Sequence, residues 1–364
     1  MVGLTSLGGR AGAVWRSIPG WALAPLAVTG FVVAVQLMGA AIAELAPALG
    51  PWLRRFLDPD PAALGASWLV AYVMLNGSVV AAVAISLFRA DLITGGELFV
   101  LVVGSRLGAA GMVVLIGAID HLQHRDGTLG ESVGLGLYTV LVTNTIYLPV
   151  AVLGYAGLPT VRGAVDVSLP WLASVAGFLD LLGTGVDRVA GLMGGPIALA
   201  LAVALFLVSL RAIDRLFART DLDVLEERLA VLDSRWRSFA IGLLVTAVTT
   251  SVSVSIGIAV PLYNRGHLDR ERMAPYVLGA SLGTLTDTLV VAIVLQSVEG
   301  VFTVGYVFGV AGLFTLIALV AFDRYFGLID SIQERLVGDR TAFVAFAAVL
   351  VAVPLALIGL AALN

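Results

Sequence analysis

Cysteine is absent from the 364 residues, so neither a disulfide framework nor a thiolate metal site is available. Lysine is absent as well, and all 21 basic residues are arginine, which fits a GC-rich or halophilic coding bias. Histidine occurs only at His121, His124 and His267, all in predicted loops. The spacing of His121 and His124 suits a metal on a helix face, but a solvated loop end is the expected setting. Charge is scarce: 13% of residues carry it, where a soluble domain has about a quarter. The net charge of −4 is too small to imply a nucleic-acid partner. Short segments of alternating polarity are missing, which excludes a β-barrel. No nucleophile–base pair or metal cluster falls within the apolar segments, so an enzyme is not expected and no cofactor is implied.

What the chain has in abundance is apolar length. Hydrophobic residues make up 59% and the mean hydropathy is +1.01. Several windows reach the roughly 20 apolar residues needed to cross a bilayer. The expected fold class is therefore an all-α polytopic membrane protein, with the lipid bilayer as its first partner. The run from Gly20 to Leu45 follows Arg10 and Arg16 as a signal peptide would, but it exceeds the apolar core of about 7–15 residues found there. It reads as a retained first span. Residues 218–237 place Leu222, Leu225, Leu229 and Leu232 at helical spacing among charges, the pattern of a surface helix.

Laid over one another, segments 68–119 and 243–294 align without a gap. Eleven of the 52 positions are identical, against roughly four or five expected of such a composition. The punctuation also matches: Ser78 lies over Ser253, and Gly104-x-x-Leu107-Gly108 over Gly279-x-x-Leu282-Gly283. Two repeats are expected, residues 1–157 and 196–322. Each would hold a span, an interrupted segment (64–90 and 238–264) whose length suits either one span or the re-entrant hairpin expected here, a helix broken at paired glycines (95–119 and 272–297) and a closing span. The breaks are assigned to Gly104 and Gly108, and to Gly279 and Gly283, where no Cβ opposes them. Residues 158–195 are expected to be an interfacial linker, and 323–364 a linker with one extra span.

These motifs resemble the type II sodium–phosphate cotransporters. In that family each repeat has Gln-Ser-Ser-Ser at a hairpin tip, a Ser or Thr nineteen residues after the Gln, and GANIGT beginning ten further on. Here Thr250-Ser251-Val252-Ser253, Asp269 and Gly279 keep those intervals, as do Leu75-Asn76-Gly77-Ser78, Thr94 and Gly104. "GASLGTLTDT" resembles the second-half stretch "GANIGTSITNT", with Asp287 at an Asn position. Neither repeat keeps the Gln, and Arg106 stands at the Asn of the first motif. The resemblance implies sodium-coupled uptake of phosphate or another small anion, held between the hairpin tips, with Na+ as coupling ion, and a homodimer in the cell membrane.

Transporters bind cargo near the midplane at interrupted helices, where free N–H groups attract anions and free oxygens suit Na+. The expected substrate residues are Asn76, Gly77, Ser78, Arg106, Thr250, Ser251 and Ser253. The expected ion residues are Thr249, Ser281, Thr284, Thr286, Asp287 and Thr288. For any one threonine, a bond to its own backbone a turn back is the competing explanation. Arg106 and Asp287 are the charges placed deep within spans, where each costs at least about 2.5–3.5 kcal/mol and needs a partner or water. Arg106 either helps hold the anion or pairs with Asp287 and locks the structure. Thr143-Asn144-Thr145 either lines the path or makes a helix contact. If 168–194 does not cross, most arginines share the N-terminal side, which is then cytoplasmic. Two other readings are a carrier of the same fold for another solute without sodium coupling, and a non-transporting scaffold or sensor.

Overall fold

The structure is a computed structural model that describes residues 19–123, 129–165, 168–218, 234–250, 255 and 270–362. Among them every regular element is helical. Helix α1 (Gly20–Leu57) runs well past the expected first span and ends before Asp58-Pro59, a dipeptide that disfavours further helix. Arg54 and Arg55 occupy its last turn, where cations suit the helix dipole.

Next come two half-length helices, α2 (Asp60–Met74) and α3 (Gly77–Arg89). At 1.5 Å per residue they span about 22 and 20 Å, each short of a hydrocarbon core of about 30 Å. The chain breaks between them at Leu75, which is left-handed with φ 56°. Asn76 then caps α3 by accepting from the backbone N–H groups of Ser78 (2.8 Å) and Val79 (3.2 Å).

Helix α4 (Gly95–Gln123) opens with a reciprocal cap. Thr94 N–H donates to Glu97 Oε2 at 2.6 Å and Glu97 N–H donates to Thr94 Oγ1 at 3.1 Å. Helix α5 (Leu129–Pro149) continues through a π-turn, Val150–Gly154, into α6 (Tyr155–Ala164). Helices α7 (Pro170–Met193) and α8 (Gly195–Ala218) follow, parted by Gly194 at φ 76°. Helix α9 (Arg235–Thr249) ends at Thr250, left-handed with φ 55° and standing where Leu75 stands in the first repeat. Then come α10 (Arg270–Gly283), α11 (Leu285–Val294), α12 (Val298–Val320), α13 (Phe322–Gly338) and α14 (Arg340–Gly359). Among the described residues, 6 helical stretches are long and apolar enough to cross a membrane, within α1, α5–α6, α8, α10–α11, α12 and α14. The protein is a multi-pass, all-α membrane protein.

Glycines set how closely these helices approach. A Cβ on Gly104 would lie 2.6 Å from the Leu64 carbonyl oxygen, and one on Gly108 2.3 Å from that of Trp68. A Cβ on Gly279 would lie 2.1 Å from the Phe239 carbonyl oxygen, and one on Gly283 2.6 Å from that of Leu243. Each second-half contact is its first-half counterpart moved by the offset that lays Ser78 over Ser253. Helix α4 thus lies on α2 as α10 lies on α9. The apolar helices ahead of these units, α1 and α8, pack on each other through Phe31 and Phe206, ring centroids 4.9 Å apart. The last helix, α14, covers α2: Tyr72 donates its hydroxyl to the Leu350 carbonyl at 3.0 Å.

One expectation needs correction, and two expected linkers are helical. Helix α4 is continuous, so Gly104 and Gly108 are approach points rather than a break. Among the described residues the helix is interrupted only in the second half, and for one residue: Thr284, itself helical in φ and ψ, stands between α10 and α11. Gly108 is followed by Ala109 and Ala110, which favour helix, whereas Gly283 is followed by Thr284, Thr286 and Thr288. Thr284 donates its hydroxyl to the Ser281 carbonyl at 2.9 Å and so competes with the backbone ladder. Residues 158–195, expected as an interfacial linker, hold the end of α6 and all of α7. Helix α7 is tied to the first helix by Gln36, whose Nε2 donates to the Leu179 carbonyl at 2.8 Å. The linker expected after residue 322 is the amphipathic helix α13, which meets α5 through Gln333 Nε2 and the Gly134 carbonyl at 2.9 Å.

Candidate functional site

Where α3 begins, the middle of α4, α5 and the α10–α11 interruption converge, a polar centre is buried inside the apolar bundle. Gly77 permits it: a Cβ there would sit 2.4 Å from the Ser105 carbonyl oxygen, so the first turn of α3 lies directly on α4 beside Arg106. Arg106 is 5% exposed and Asp287 1%. Their closest atoms, Nη1 and Oδ1, are 3.8 Å apart, an ion pair just beyond hydrogen-bond length. Arg106 Nη2 donates to Thr288 Oγ1 at 2.8 Å, and Nη1 to the Thr284 carbonyl at 3.3 Å. Thr288 Oγ1 donates its own proton to Asp287 Oδ1 at 2.8 Å, and Ser78 Oγ donates to Asp287 Oδ2. The Nε of Arg106 is buried without a hydrogen-bond partner.

A second group adjoins the first. Tyr147 donates its hydroxyl to the Ser281 carbonyl at 3.0 Å, and Thr143 Oγ1 lies 3.3 Å from Ser281 Oγ. Arg106 and Ser281 hold the same position in the two repeats, and both face this centre.

The expected residues distribute as follows. Ser78, Arg106, Ser281, Thr284, Asp287 and Thr288 are brought together. Asn76 is next to them, but its side chain is committed to capping, and two amides expected for an anion are thereby taken. Gly77 contributes closeness rather than a ligand. Thr286 is partly exposed and makes none of these contacts. Thr249 is buried at the end of α9, and Thr250 Oγ1 is buried without a hydrogen-bond partner. Ser251 and Ser253 lie outside the described residues. The oxygens expected to be free for a cation are engaged: the Ser281 carbonyl accepts from Tyr147 and Thr284, and the Thr284 carbonyl from Arg106.

Tyr147 was not legible as a site residue. Its one signal is its position four after Thr143, which puts both on the same face of α5. Thr145 points elsewhere, 2.8 Å from the Tyr325 hydroxyl of α13, and Asn144 donates to the Val140 carbonyl a turn back.

Fold and site together define a multi-pass helical membrane protein with an ionic, hydroxyl-rich centre closed inside its bundle. Residues 205–330, roughly a third of the chain, match the family model described as Na+/Pi-cotransporter, and this supports membership of that family. The match includes α10, α11 and α12, and so Ser281, Thr284, Asp287 and Thr288. No curated protein and no solved structure gave a match.

Proposed function

We propose that this protein is a secondary active transporter that couples sodium entry to uptake of phosphate or another small anion. The observation that carries this reading is the buried Arg106–Asp287 centre, built from both halves at the helix interruption inside the family-matched segment. A charged pair with under-used donors is costly to keep in an apolar bundle for packing alone. Arg106 supplies the positive charge for an oxyanion, and Ser78 supplies a hydroxyl at the start of a half-length helix. Na+ would take the oxygens of Ser281, Thr284 and Thr288 once their present donors move away.

Residues 60–123 and 235–294 are read as two copies of one unit, inverted across the bilayer. The glycine contacts and left-handed residues that recur at one constant offset support the repetition, and inversion follows if α1, α4 and α5 cross the membrane and α7 does not. Rocking of one unit against the other about the Arg106–Asp287 contact would expose the centre to each side in turn. If α7 does not cross, the arginine bias puts the N-terminus on the cytoplasmic side of the cell membrane, and the family resemblance makes a homodimer the working assembly.

Proteoliposomes loaded with purified protein test the reading. Labelled phosphate should enter faster under an inward sodium gradient than under an inward choline gradient. Uptake indifferent to sodium would point to a carrier with different coupling, and no uptake of any anion to a non-transporting protein. One observation favours the latter: Arg106 already has Thr284, Thr288 and Asp287 around it, as a structural lock would. Sodium-driven uptake that survives intact in Arg106→Ala would remove Arg106 from the anion site.

A further inference from the structure

We propose that the Asp287 carboxylate is a tethered stand-in for the transported anion. It occupies the seat at Arg106 and Ser78 that a small oxyanion takes, so cargo binds only by displacing it. The proposal rests on the transport reading above and adds what closes the site and what class of anion opens it.

The carboxylate is held as an incoming oxyanion would be held. One oxygen takes the Ser78 hydroxyl, the other takes the Thr288 hydroxyl, and the guanidinium faces the second oxygen. Two oxygens on one centre are needed to fill these positions, which fits phosphate, sulfate or a carboxylate and not a halide. The arginine, in turn, is not used up. Guanidinium pairs best with an oxyanion through two parallel N–H···O bonds. Here Arg106 makes none to Asp287: the closest approach is 3.8 Å, and Nε is buried with no acceptor. An ion pair kept for stability alone would close that gap. The present arrangement leaves donors for a better acceptor than the one in place.

The support of Asp287 also permits displacement. Asp287 lies in the first turn of α11, three residues past Thr284. There the ladder is carried on by a long bond, Thr284 N–H to the Ala280 carbonyl at 3.3 Å. Gly283, directly before it, lies against the Leu243 carbonyl. A small rotation of α11 about this point would draw the carboxylate and Thr288 away while α4 and α3 keep Arg106 and Ser78 in place. One guanidinium cannot serve both anions at close range, because the two would repel each other in a site with little water. Binding of cargo and seating of Asp287 are therefore mutually exclusive.

The test is equilibrium binding of labelled inorganic phosphate to the purified full-length protein at a fixed sodium concentration. Asp287→Asn keeps the shape and removes the competing charge, so the phosphate Kd should fall by about tenfold or more, because the seat is then open in most molecules. Adding Arg106→Gln to that variant should abolish binding. An unchanged Kd in Asp287→Asn overturns the proposal. So does weaker binding with lost sodium stimulation, which would make Asp287 a sodium ligand. The transport reading fails separately. Wild-type protein that moves no anion, alongside Asp287→Asn that binds phosphate tightly, would sink that reading and keep this one. Should Asp287→Asn not fold, infrared difference spectra of wild-type protein labelled with 13C-carboxyl aspartate decide. Phosphate should shift a carboxylate stretch, and a silent spectrum overturns the proposal.

Discussion

Adding one methyl group to Gly279 tests how the second half is assembled. A Cβ there would lie 2.1 Å from the Phe239 carbonyl oxygen and 2.7 Å from the Leu243 backbone nitrogen. Ordinary contact begins at 3.4 Å, so α10 and α9 would have to part by about 1.3 Å (3.4 − 2.1), and both clashing atoms are backbone that cannot swing aside. Overpacking of this kind costs about 1–3 kcal/mol, and the absence of any flexible neighbour puts Gly279→Ala near the top of that range. Alanine's better helix propensity returns about 1 kcal/mol, which leaves a net loss of about 2 kcal/mol. Gly309 on α12 is the internal control, since a Cβ there meets nothing within 4 Å. Gly309→Ala should be neutral or gain up to about 1 kcal/mol. Gly104→Ala, whose Cβ would lie 2.6 Å from the Leu64 carbonyl oxygen, should behave like Gly279→Ala. Denaturation of the three variants in the same mild detergent measures the order. If Gly279→Ala proved as stable as Gly309→Ala, the close approach of α9 and α10 would not exist.

Three further outcomes follow from the site and its surroundings. Arg106→Ala leaves Asp287 buried without its cation and should cost about 3–5 kcal/mol; in a double-mutant cycle with Asp287→Ala the losses should fall short of additive by about 1–3 kcal/mol, and simple additivity would show that the two charges do not interact. Asn76→Ala removes the cap that accepts from Ser78 and Val79, so unfolding should become easier by about 1 kcal/mol and phosphate uptake should fall as Ser78 loses its fixed position; unaltered values for both would exclude the capping role. Arg162 and Glu299 pair at 2.7 Å, but the Arg162 side chain is 45% exposed, so Glu299→Gln should change stability by less than about 1 kcal/mol, and a larger loss would mean the pair is shielded from solvent.

The helical breaks show how far local chemistry could be read. The stop at Leu75 and Asn76 was legible, because an Asn-Gly-Ser run in the middle of an apolar segment offers a cap and nothing to extend the helix. The same reasoning misplaced the break in α4. Gly104 and Gly108 look alike to Gly279 and Gly283 in sequence, but a glycine pair only permits a break. The threonines that follow Gly283 compete for its carbonyls, and the alanines that follow Gly108 do not. Tyr147 stayed hidden because an aromatic residue in an apolar helix carries no mark of the carbonyl it will meet.

Composition and the pattern of apolar runs determined that the chain is helical and crosses a membrane: 59% apolar and 13% charged residues leave no soluble fold, lipid admits only helices and closed barrels, and the alternating strands of a barrel are missing. The internal recurrence and the two deep charges were equally visible in the sequence, because spacing and the cost of burying charge are local properties. Only tertiary structure decided that Arg106 meets Asp287, that Ser78 joins them, and that Thr143 and Tyr147 reach Ser281. These residues lie far apart along the chain, and the small residues that let helix backbones nearly touch bring them within hydrogen-bond or ion-pair range.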